Sequence, residues 1–313
     1  MASPNLSEII TTTLRNRSKS LADNVTNHNA LLRRLSENGN LTTVTGRQIV
    51  RELEYASNGT VGFYSGYESL DVSPSDVLTS ATFDYKQMAG NVTISGLEQI
   101  QNSGTEAVIN LLESRIGVLE KTMSNTLATS LYSDGTGSDG KEVGGLQLLV
   151  ADAGTGTVGG INSSTFTFFQ NVQTTATSSA FSTTNIQSDM NTIYLSLVRG
   201  SDSPDLIMAD TNAYKSFLGS LQAIQRVTSD RVASSGFTSV QYLNSDVIFD
   251  DACPANKMYF LNTDYLRLEV AANRNFVPGE SRMSVSQDAM VQPMFWSGNL
   301  TCSNRALQGV IHV

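Results

Sequence analysis

The stretch "TEAVINLLESRIGVLEKTMSNTLATSL", residues 105–131, contains the clearest helical pattern in the chain. Its apolar side chains recur at the three- and four-residue spacing of a single helix face. The members of this stripe are Val108, Leu112, Ile116, Leu119, Met123, Leu127 and Leu131. At 1.5 Å per residue the helix would extend roughly 40 Å, and no equally long helix is predicted after it. We therefore expect one long helix rather than a regular bundle.

The residues before this helix have the two-residue period of β-strands. The segments "TVGFYSGYES" (60–69) and "LTSATFDYKQM" (78–88) are predicted strands joined by the loop "LDVSPSDV". In the second segment Phe83 and Tyr85 share one face, and Asp84 and Lys86 share the other. Because two strands alone are marginally stable in water, this tyrosine-rich hairpin is expected to lie on another surface.

The N-terminal residues predict an amphipathic arm. Ser3 and Pro4 form a helix-start pair, and apolar residues then recur with a period near 3.6 at Leu6, Ile10, Leu14, Leu21, Val25, Leu32 and Leu35. This arm is either a core helix or a helix that docks on a neighbouring subunit. Arg33 and Arg34 are expected on its solvated face. A second short helix is predicted at "RQIVRELEYA", residues 47–56.

Two glycine clusters have the spacing of nucleotide-binding loops. Gly154, Gly156 and Gly159 match the dinucleotide fingerprint, but the residues that follow favour a loop and a strand, where the fingerprint requires a helix. Residues 170–188 also contain no Asp or Glu for the ribose. A dinucleotide site is therefore not expected.

The second cluster resembles a phosphate-binding P-loop through Gly135, Gly140 and Lys141. Glu142 stands where a P-loop needs a Ser or Thr hydroxyl for Mg²⁺. The cluster also follows a predicted helix, whereas a P-loop follows a strand. Both clusters are interpreted as flexible surface loops.

The C-terminal half mixes helices with many strands. A helix is predicted over 184–199, followed by a buried strand over 206–209 whose end supplies Asp210 or Thr211 as a helix cap. Strand patterns then continue to Val313, so the last strand is expected to belong to a sheet. The predicted fold class is α+β.

The composition argues against binding that is driven by positive charge. The net charge is −9, and only 16% of the residues are charged, against roughly 25% in an average soluble domain. Residues 1–56 carry seven Lys or Arg and five Asp or Glu, whereas the remainder carries thirteen and twenty-four. Simple electrostatic attraction to nucleic acid or to an anionic membrane is not expected. The sequence has no signal-peptide pattern and no run long enough to span a membrane.

The chain offers few residues for catalysis or metal binding. Cys253 and Cys302 are interpreted as buried thiols in a reducing compartment or as one disulfide, and with His28 and His312 they lack the spacing of a structural zinc site. The remaining candidates, Asp210, Asp250, Asp251 and Asp264, are interpreted as loop or cap acids. We predict no enzyme activity, no cofactor and no metal.

The order of these parts resembles the major capsid protein of tailed bacteriophages, whose fold also occurs in herpesvirus capsids and encapsulins. The closing stretch "FWSGNLTCSNRALQGVI" is similar to that family's final strands. The resemblance implies an N-terminal helical arm at 1–57, an extended hairpin or E-loop at 58–95, and a first P-domain part at 96–180 with the spine helix at 105–131. It further implies an A-domain at 181–260 and the A-domain return with the closing P-domain strands at 261–313.

This resemblance implies a structural protein that forms hexamers and pentamers of an icosahedral head around double-stranded DNA. The implied partners are other copies, a portal protein, a separate scaffold or decoration protein, and packaged DNA that is held without sequence specificity; no membrane is involved. The protein would be assembled in the bacterial host cytoplasm and end in the virion, as an unprocessed chain. The alternatives are an encapsulin-like compartment and a filament or surface-array subunit.

The resemblance places intersubunit contacts in the hairpin and the arm. The predicted contact residues are Phe63, Tyr64, Tyr67, Phe83, Tyr85, Lys86, Leu6, Ile10 and Leu14. Aromatic side chains suit such contacts because they bury a large area with few rotors to freeze. Alternatively, the aromatic residues pack on their own subunit. Lys86 is the only hairpin lysine for a crosslink of the kind some relatives make, and crosslinking is not predicted.

Overall fold

The computed structural model describes residues 30–101, 111–221 and 240–313. Its main helices are α1 (Ala30–Glu37), α2 (Gly96–Gln101), α3 (Leu111–Ser130), α4 (Leu146–Leu149), α5 (Ile186–Leu197) and α6 (Thr211–Ser220). The first strands are β1 (Leu41–Val44), β2 (Ile49–Glu54), β3 (Leu78–Phe83), β4 (Lys86–Ser95), β5 (Thr157–Val158), β6 (Ile161–Asn162), β7 (Val172–Thr175) and β8 (Leu206–Ala209). The later strands are β9 (Val240–Tyr242), β10 (Ser245–Phe249), β11 (Lys257–Leu261), β12 (Leu266–Ala271), β13 (Val277–Pro278), β14 (Arg282–Met283), β15 (Ala289–Cys302) and β16 (Gly309–His312). The α+β prediction is confirmed.

The first six-stranded sheet is built around the long strand β15. One edge of β15 pairs antiparallel with β4, from Ala289 opposite Ser95 to Gly298 opposite Lys86. Its other edge pairs with β12, β13 and β14, and β1 extends the sheet in parallel with β12. Trp296 is buried in this sheet. Strand β15 thus connects segments that lie far apart in sequence.

The second six-stranded sheet has the order β7-β16-β11-β8-β10-β9. Alternate residues of β8 serve two cores, because successive strand side chains point to opposite faces. Ile207 and Ala209 pack in the cluster formed with α5 and α6, whereas Leu206 and Met208 pack in the cluster shared with the first sheet. Both faces are therefore covered, and the prediction that the last strand belongs to a sheet is confirmed by β16.

Helix α3 lies along β4 of the first sheet. A Cβ atom added to Gly90 of β4 would lie 2.4 Å from Leu119 Cδ1 and 3.3 Å from Met123 Sδ, so a glycine permits this close approach. Leu127 and Leu131 are buried in the same core. The predicted long helix is confirmed over Leu111–Ser130, and residues 105–110 lie outside the described residues.

The hairpin predicted at 58–95 is wrong, because its strands pair with other segments of the chain. Strand β2 replaces the helix predicted over 47–56, and it pairs with β3 from Ile49 opposite Phe83 to Glu54 opposite Leu78. Strand β4 pairs with β15 instead. The segment "TVGFYSGYES" forms no strand. The ribbon therefore consists of β2 and β3, joined by residues 55–77.

The described end of the predicted arm is fixed to the second sheet. The Leu31 N–H donates to Asp250 Oδ2 (3.2 Å), which also accepts from the Tyr132 hydroxyl (2.9 Å). Burial raises the pKa of the Asp250 carboxyl above its ordinary value. Arg34 forms an ion pair with Asp246. The expectation that Arg34 faces solvent is therefore wrong.

The glycines of the two clusters form turns or lie where the backbone is closely packed. Gly159 and Gly160, at φ 57° and 79°, form the two-residue turn between β5 and β6, a conformation that glycine adopts without strain. In the other cluster, Gly135 and Gly140 are half-buried and Lys141 is exposed, so the cluster lies at the surface. Gly144 and Gly145, which follow it, are buried. The apolar residues Leu146–Leu149, which precede Gly154, form the short helix α4.

The two cysteines are buried free thiols. Burial raises the pKa of the Cys302 thiol to about 12, because a thiolate would be desolvated there. The interpretation as small buried side chains is confirmed, and the alternative of one disulfide is wrong.

Gly145→Ala is expected to lower the free energy of unfolding by about 2–3 kcal/mol, because overpacking in a closed site forces backbone shifts. A Cβ atom at Gly145 would lie 2.4 Å from the Leu131 carbonyl oxygen at the end of α3. Gly117→Ala is the matched control, since a Cβ there has no heavy atom within 4 Å and alanine favours a helix interior by about 0.5–1 kcal/mol. Urea unfolding measures both variants, and equal effects would contradict the expectation.

Candidate interface loop

The ribbon formed by β2 and β3 is anchored by its own apolar face. Ile49, Leu53, Ala81 and Phe83 are buried in the core. The ladder extends one step further through a hydrogen bond from Tyr55 N to the Val77 carbonyl (3.0 Å). The strands therefore hold both ends of the connecting segment in place.

Two further contacts attach the ribbon to the rest of the molecule. Arg51 of β2 forms an ion pair with Glu269 and donates to Thr301 Oγ1 (3.3 Å), both in the first sheet. The Thr82 N–H donates to the Gly159 carbonyl (2.9 Å) in the β5–β6 turn. The base of the ribbon is thus fixed on two sides.

The interface loop, residues 55–77, contains no helix or strand. Phe63 and Tyr67 are fully exposed, at 110% and 108%. Further exposed apolar side chains of the loop are Val61, Tyr64, Leu70 and Val72. A concentration of large exposed apolar side chains typically marks an interaction surface. The loop is therefore the candidate site for contact with another molecule.

Local hydrogen bonds shape the loop. Asn58 Oδ1 accepts from Thr60 N (2.9 Å), Thr60 Oγ1 (2.8 Å) and Ser75 Oγ (3.1 Å), which joins the two limbs. Asp71 accepts from the hydroxyl and the N–H of Ser73, and these bonds lower the pKa of the Asp71 carboxyl. Such side-chain turns fix a backbone without core packing. These hydrogen bonds therefore order part of the loop backbone that carries the aromatic rings.

A small notch of about 250 Å³ lies beside the foot of the loop. It is lined by Tyr55, Asp76, Leu78, Thr79, Ile161, Phe166 and Phe168. The rings of Tyr55 and Phe168 are 5.7 Å apart between centroids, and Phe166 is half exposed. The apolar surface thus continues from the loop onto the neighbouring turn.

The structure places the predicted contact residues that it describes in different environments. Phe63, Tyr64 and Tyr67 lie together in the exposed loop. Phe83 is only 6% exposed, and Tyr85 is partly buried against the same core. These two residues therefore pack within their own chain, as in the alternative interpretation. Lys86 is half buried and donates to the Gly140 carbonyl. Leu6, Ile10 and Leu14 lie outside the described residues.

The sequence interpretation missed part of this surface. Val61, Leu70 and Val72 are exposed but were not among the predicted contacts. The signal available for them is large apolar residues interspersed with Gly59, Gly62 and other turn formers, in a segment without a pairing partner.

The described ranges contain no group of three or more His, Cys, Asp or Glu placed to hold a metal ion. Within the same ranges, no helix is both long and apolar enough to cross a membrane. The chemistry that the described surface offers at this loop is apolar and aromatic contact.

Neither a protein-family model nor a curated protein matches the sequence. Solved structures do match its fold. The capsid protein of cyanophage A-1(L) superposes with a TM-score of 0.74 at 17% identity, over 96% of each chain. The capsid protein of the native GTA particle gives a TM-score of 0.66 at 9% identity, over 95% of this chain and 93% of the other.

An encapsulin complex also matches. The SrpI encapsulin of Synechococcus elongatus PCC 7942 gives a TM-score of 0.60 at 10% identity, over 94% of this chain and 91% of the other. These alignments cover nearly the whole chain. The chain therefore has the fold of phage capsid proteins, which the encapsulin shares.

Proposed function

We propose that this chain is a major capsid protein that assembles into hexamers and pentamers of an icosahedral phage head around double-stranded DNA. The observation that carries the proposal is the capsid fold over 96% of the chain, combined with the unpartnered aromatic loop. Fold alone does not fix function, but an anchored ribbon that exposes aromatic rings suits a subunit completed by its neighbours.

The proposal assigns the parts of the fold to the domains of a capsid subunit. The first sheet with α3 corresponds to the P-domain, and the second sheet with α5 and α6 corresponds to the A-domain. The E-loop corresponds to β2, the interface loop and β3. Its bounds move to Ile49–Phe83, because the β2–β3 pairing replaces the hairpin predicted at 58–95.

The acidic balance of the chain supports contact with packaged DNA that is weak and without sequence specificity. With a net charge of −9, the shell would enclose DNA without adhering to it tightly. The further partners are a portal protein and a separate scaffold or decoration protein. The protein is assembled in the bacterial host cytoplasm, and its destination is the virion.

Expression of the full chain followed by electron microscopy and sedimentation tests the proposal. Closed shells of uniform size are the expected result, with a scaffold protein added if the chain alone forms only capsomers. Extraction of nucleic acid from particles isolated from infected cells separates a phage head, which contains DNA, from an encapsulin-like compartment. Tubes or flat lattices would favour the filament or surface-array alternative, and a monomer at high concentration would contradict assembly altogether.

A further inference from the structure

The interface loop contains one of the two Asn-Gly pairs of the chain, Asn58-Gly59; the other is Asn38-Gly39. In such a pair the glycine nitrogen can approach the side-chain amide carbon of asparagine, because glycine has no Cβ and few backbone restrictions. Asn58 and Gly59 are exposed and lie outside helices and strands. A Cβ atom at Gly59 would meet no heavy atom within 4 Å. The space beside Gly59 is thus open.

The amide oxygen of Asn58 is surrounded by hydrogen-bond donors. It accepts from Thr60 N at 2.9 Å, from Thr60 Oγ1 at 2.8 Å and from Ser75 Oγ at 3.1 Å. When a nucleophile attacks the amide carbon, negative charge develops on this oxygen. Donors already aimed at the oxygen stabilise that charge, which is the principle of an oxyanion hole.

We propose that Asn58 is a site of spontaneous deamidation. Gly59 N loses its proton to water and attacks Asn58 Cγ, so that a new N–C bond forms and Oδ1 takes up negative charge. Collapse of this intermediate breaks the Cγ–Nδ2 bond, and the nitrogen leaves as ammonia after accepting a proton. Water then opens the resulting succinimide ring at either carbonyl, which gives aspartate or isoaspartate.

The second pair, Asn38-Gly39, provides an internal comparison. Its glycine N–H already donates to the Ser36 carbonyl (3.2 Å) at the end of α1. Asn38 Nδ2 donates to Thr263 Oγ1 (3.1 Å), so the nitrogen that would leave is bonded to a residue far away in the sequence. Within the described residues, the Gly59 N–H has no backbone acceptor. The structure therefore favours reaction at Asn58 over reaction at Asn38.

Deamidation at Asn58 changes the loop in two ways. Either product carries one additional negative charge at neutral pH, and isoaspartate also inserts a methylene group into the backbone. Both changes occur where Ser75 of the opposite limb is tied to Asn58. A consequence for assembly, namely that aged free subunits lose the loop conformation needed for contact, rests on the proposed function. The deamidation of Asn58 itself does not depend on the proposed function.

Peptide mapping by mass spectrometry tests the proposal on the purified full chain, incubated at mildly alkaline pH. In the native chain, Asn58 is expected to convert several-fold faster than Asn38, and the two rates are expected to converge in urea. Gly59→Ala should abolish most of the conversion. Ser75→Ala, an exposed substitution, should slow it roughly threefold to tenfold, less than the ~10²–10³ for one donor in a buried enzyme site because solvent screens the charge.

Equal native rates at the two asparagines would overturn the proposal. So would a rate in Ser75→Ala that equals or exceeds the rate of the wild type. Because the readout is a mass change in a peptide, it does not depend on shell formation, and a failure of the proposed capsid function would be seen separately in the assembly experiment.

Discussion

Replacing Arg305 by Met is expected to lower the free energy of unfolding by about 2–5 kcal/mol. Arg305 is completely buried. Its Nε donates to the Leu149 carbonyl (2.6 Å), its Nη1 to the Phe169 carbonyl (3.0 Å) and its Nη2 to Asn171 Oδ1 (3.0 Å). The guanidinium thus joins the turn after β15 to the segment between α4 and β7.

The size of this effect follows from what the substitution leaves behind. Within the described residues, the hydrogen-bond partners of Arg305 are neutral oxygens. Desolvation lowers the pKa of Arg305 to about 10, so the group remains a cation at neutral pH. Removing it relieves the cost of burying a charge, but it leaves the buried carbonyl oxygens of Leu149 and Phe169 without donors, at about 1–3 kcal/mol each. Asn171 Oδ1 keeps the Ala151 N–H (3.1 Å) as a donor. The net result is a large loss relative to a typical stability of roughly 5–15 kcal/mol.

Urea unfolding and hydrogen exchange measure this effect. Arg282→Met is the matched control, because its side chain is 79% exposed and its substitution should change stability by less than about 0.5 kcal/mol. Arg305→Lys keeps the charge but lacks the fork of donors, so an intermediate loss is expected. Faster exchange of amides in residues 149–171 would locate the damage. A loss below about 1 kcal/mol in Arg305→Met would contradict the prediction, because two orphaned acceptors should cost more than that.

The elements that sequence predicts well here are those with strong local signals. Helix α5 carries a buried stripe at helical spacing, including Ile186, Met190 and Ile193. Strand β8 is a short, fully buried apolar run, and Asp210 after it caps α6 by accepting from Ala213 N (2.8 Å). Periodicity and capping chemistry are properties of neighbouring residues, so they can be read without knowledge of the fold.

The wrong helix prediction at β2 shows the limit of local sequence signals. Ile49 and Leu53 are four residues apart, a spacing that fits one face of a helix and, with Arg51 between them, one face of a strand. Pairing with β3 decides between the two, and that partner begins 24 residues after β2 ends. Tertiary pairing of this kind overrides local propensity.

The candidate site was predictable only in part for the same reason. Phe63 and Phe83 both occur in segments with strand-like composition, yet one is fully exposed and the other is buried. The difference arises because the β2–β3 pairing places Phe83 in the core, whereas Phe63 lies in a loop with no strand beside it. The buried state of Arg305 likewise depends on segments brought together by β15 and has no signature in sequence.

Replacing Phe63 and Tyr67 together by Ser is expected to abolish shell formation while the subunit stays folded. Both side chains are fully exposed in the single chain, so the free energy of unfolding should change by less than about 0.5 kcal/mol. If each ring anchors a contact with a neighbour, truncation costs about 2 kcal/mol or more per ring. The combined loss of about 4 kcal/mol corresponds to a roughly thousandfold weaker contact.

The loss is amplified in a shell because every subunit repeats the same contact. The matched control exchanges the two residues in place, Phe63→Tyr with Tyr67→Phe, which keeps both rings and should assemble as the wild type does. Sedimentation and electron microscopy at equal protein concentrations compare the three chains, and urea unfolding confirms that each is folded. Shells formed by the double serine variant at the wild-type concentration would show that these rings do not anchor the contact. Loss of shells in both variants would point to the individual polar groups rather than the aromatic area, since the exchange alters only the position of one hydroxyl.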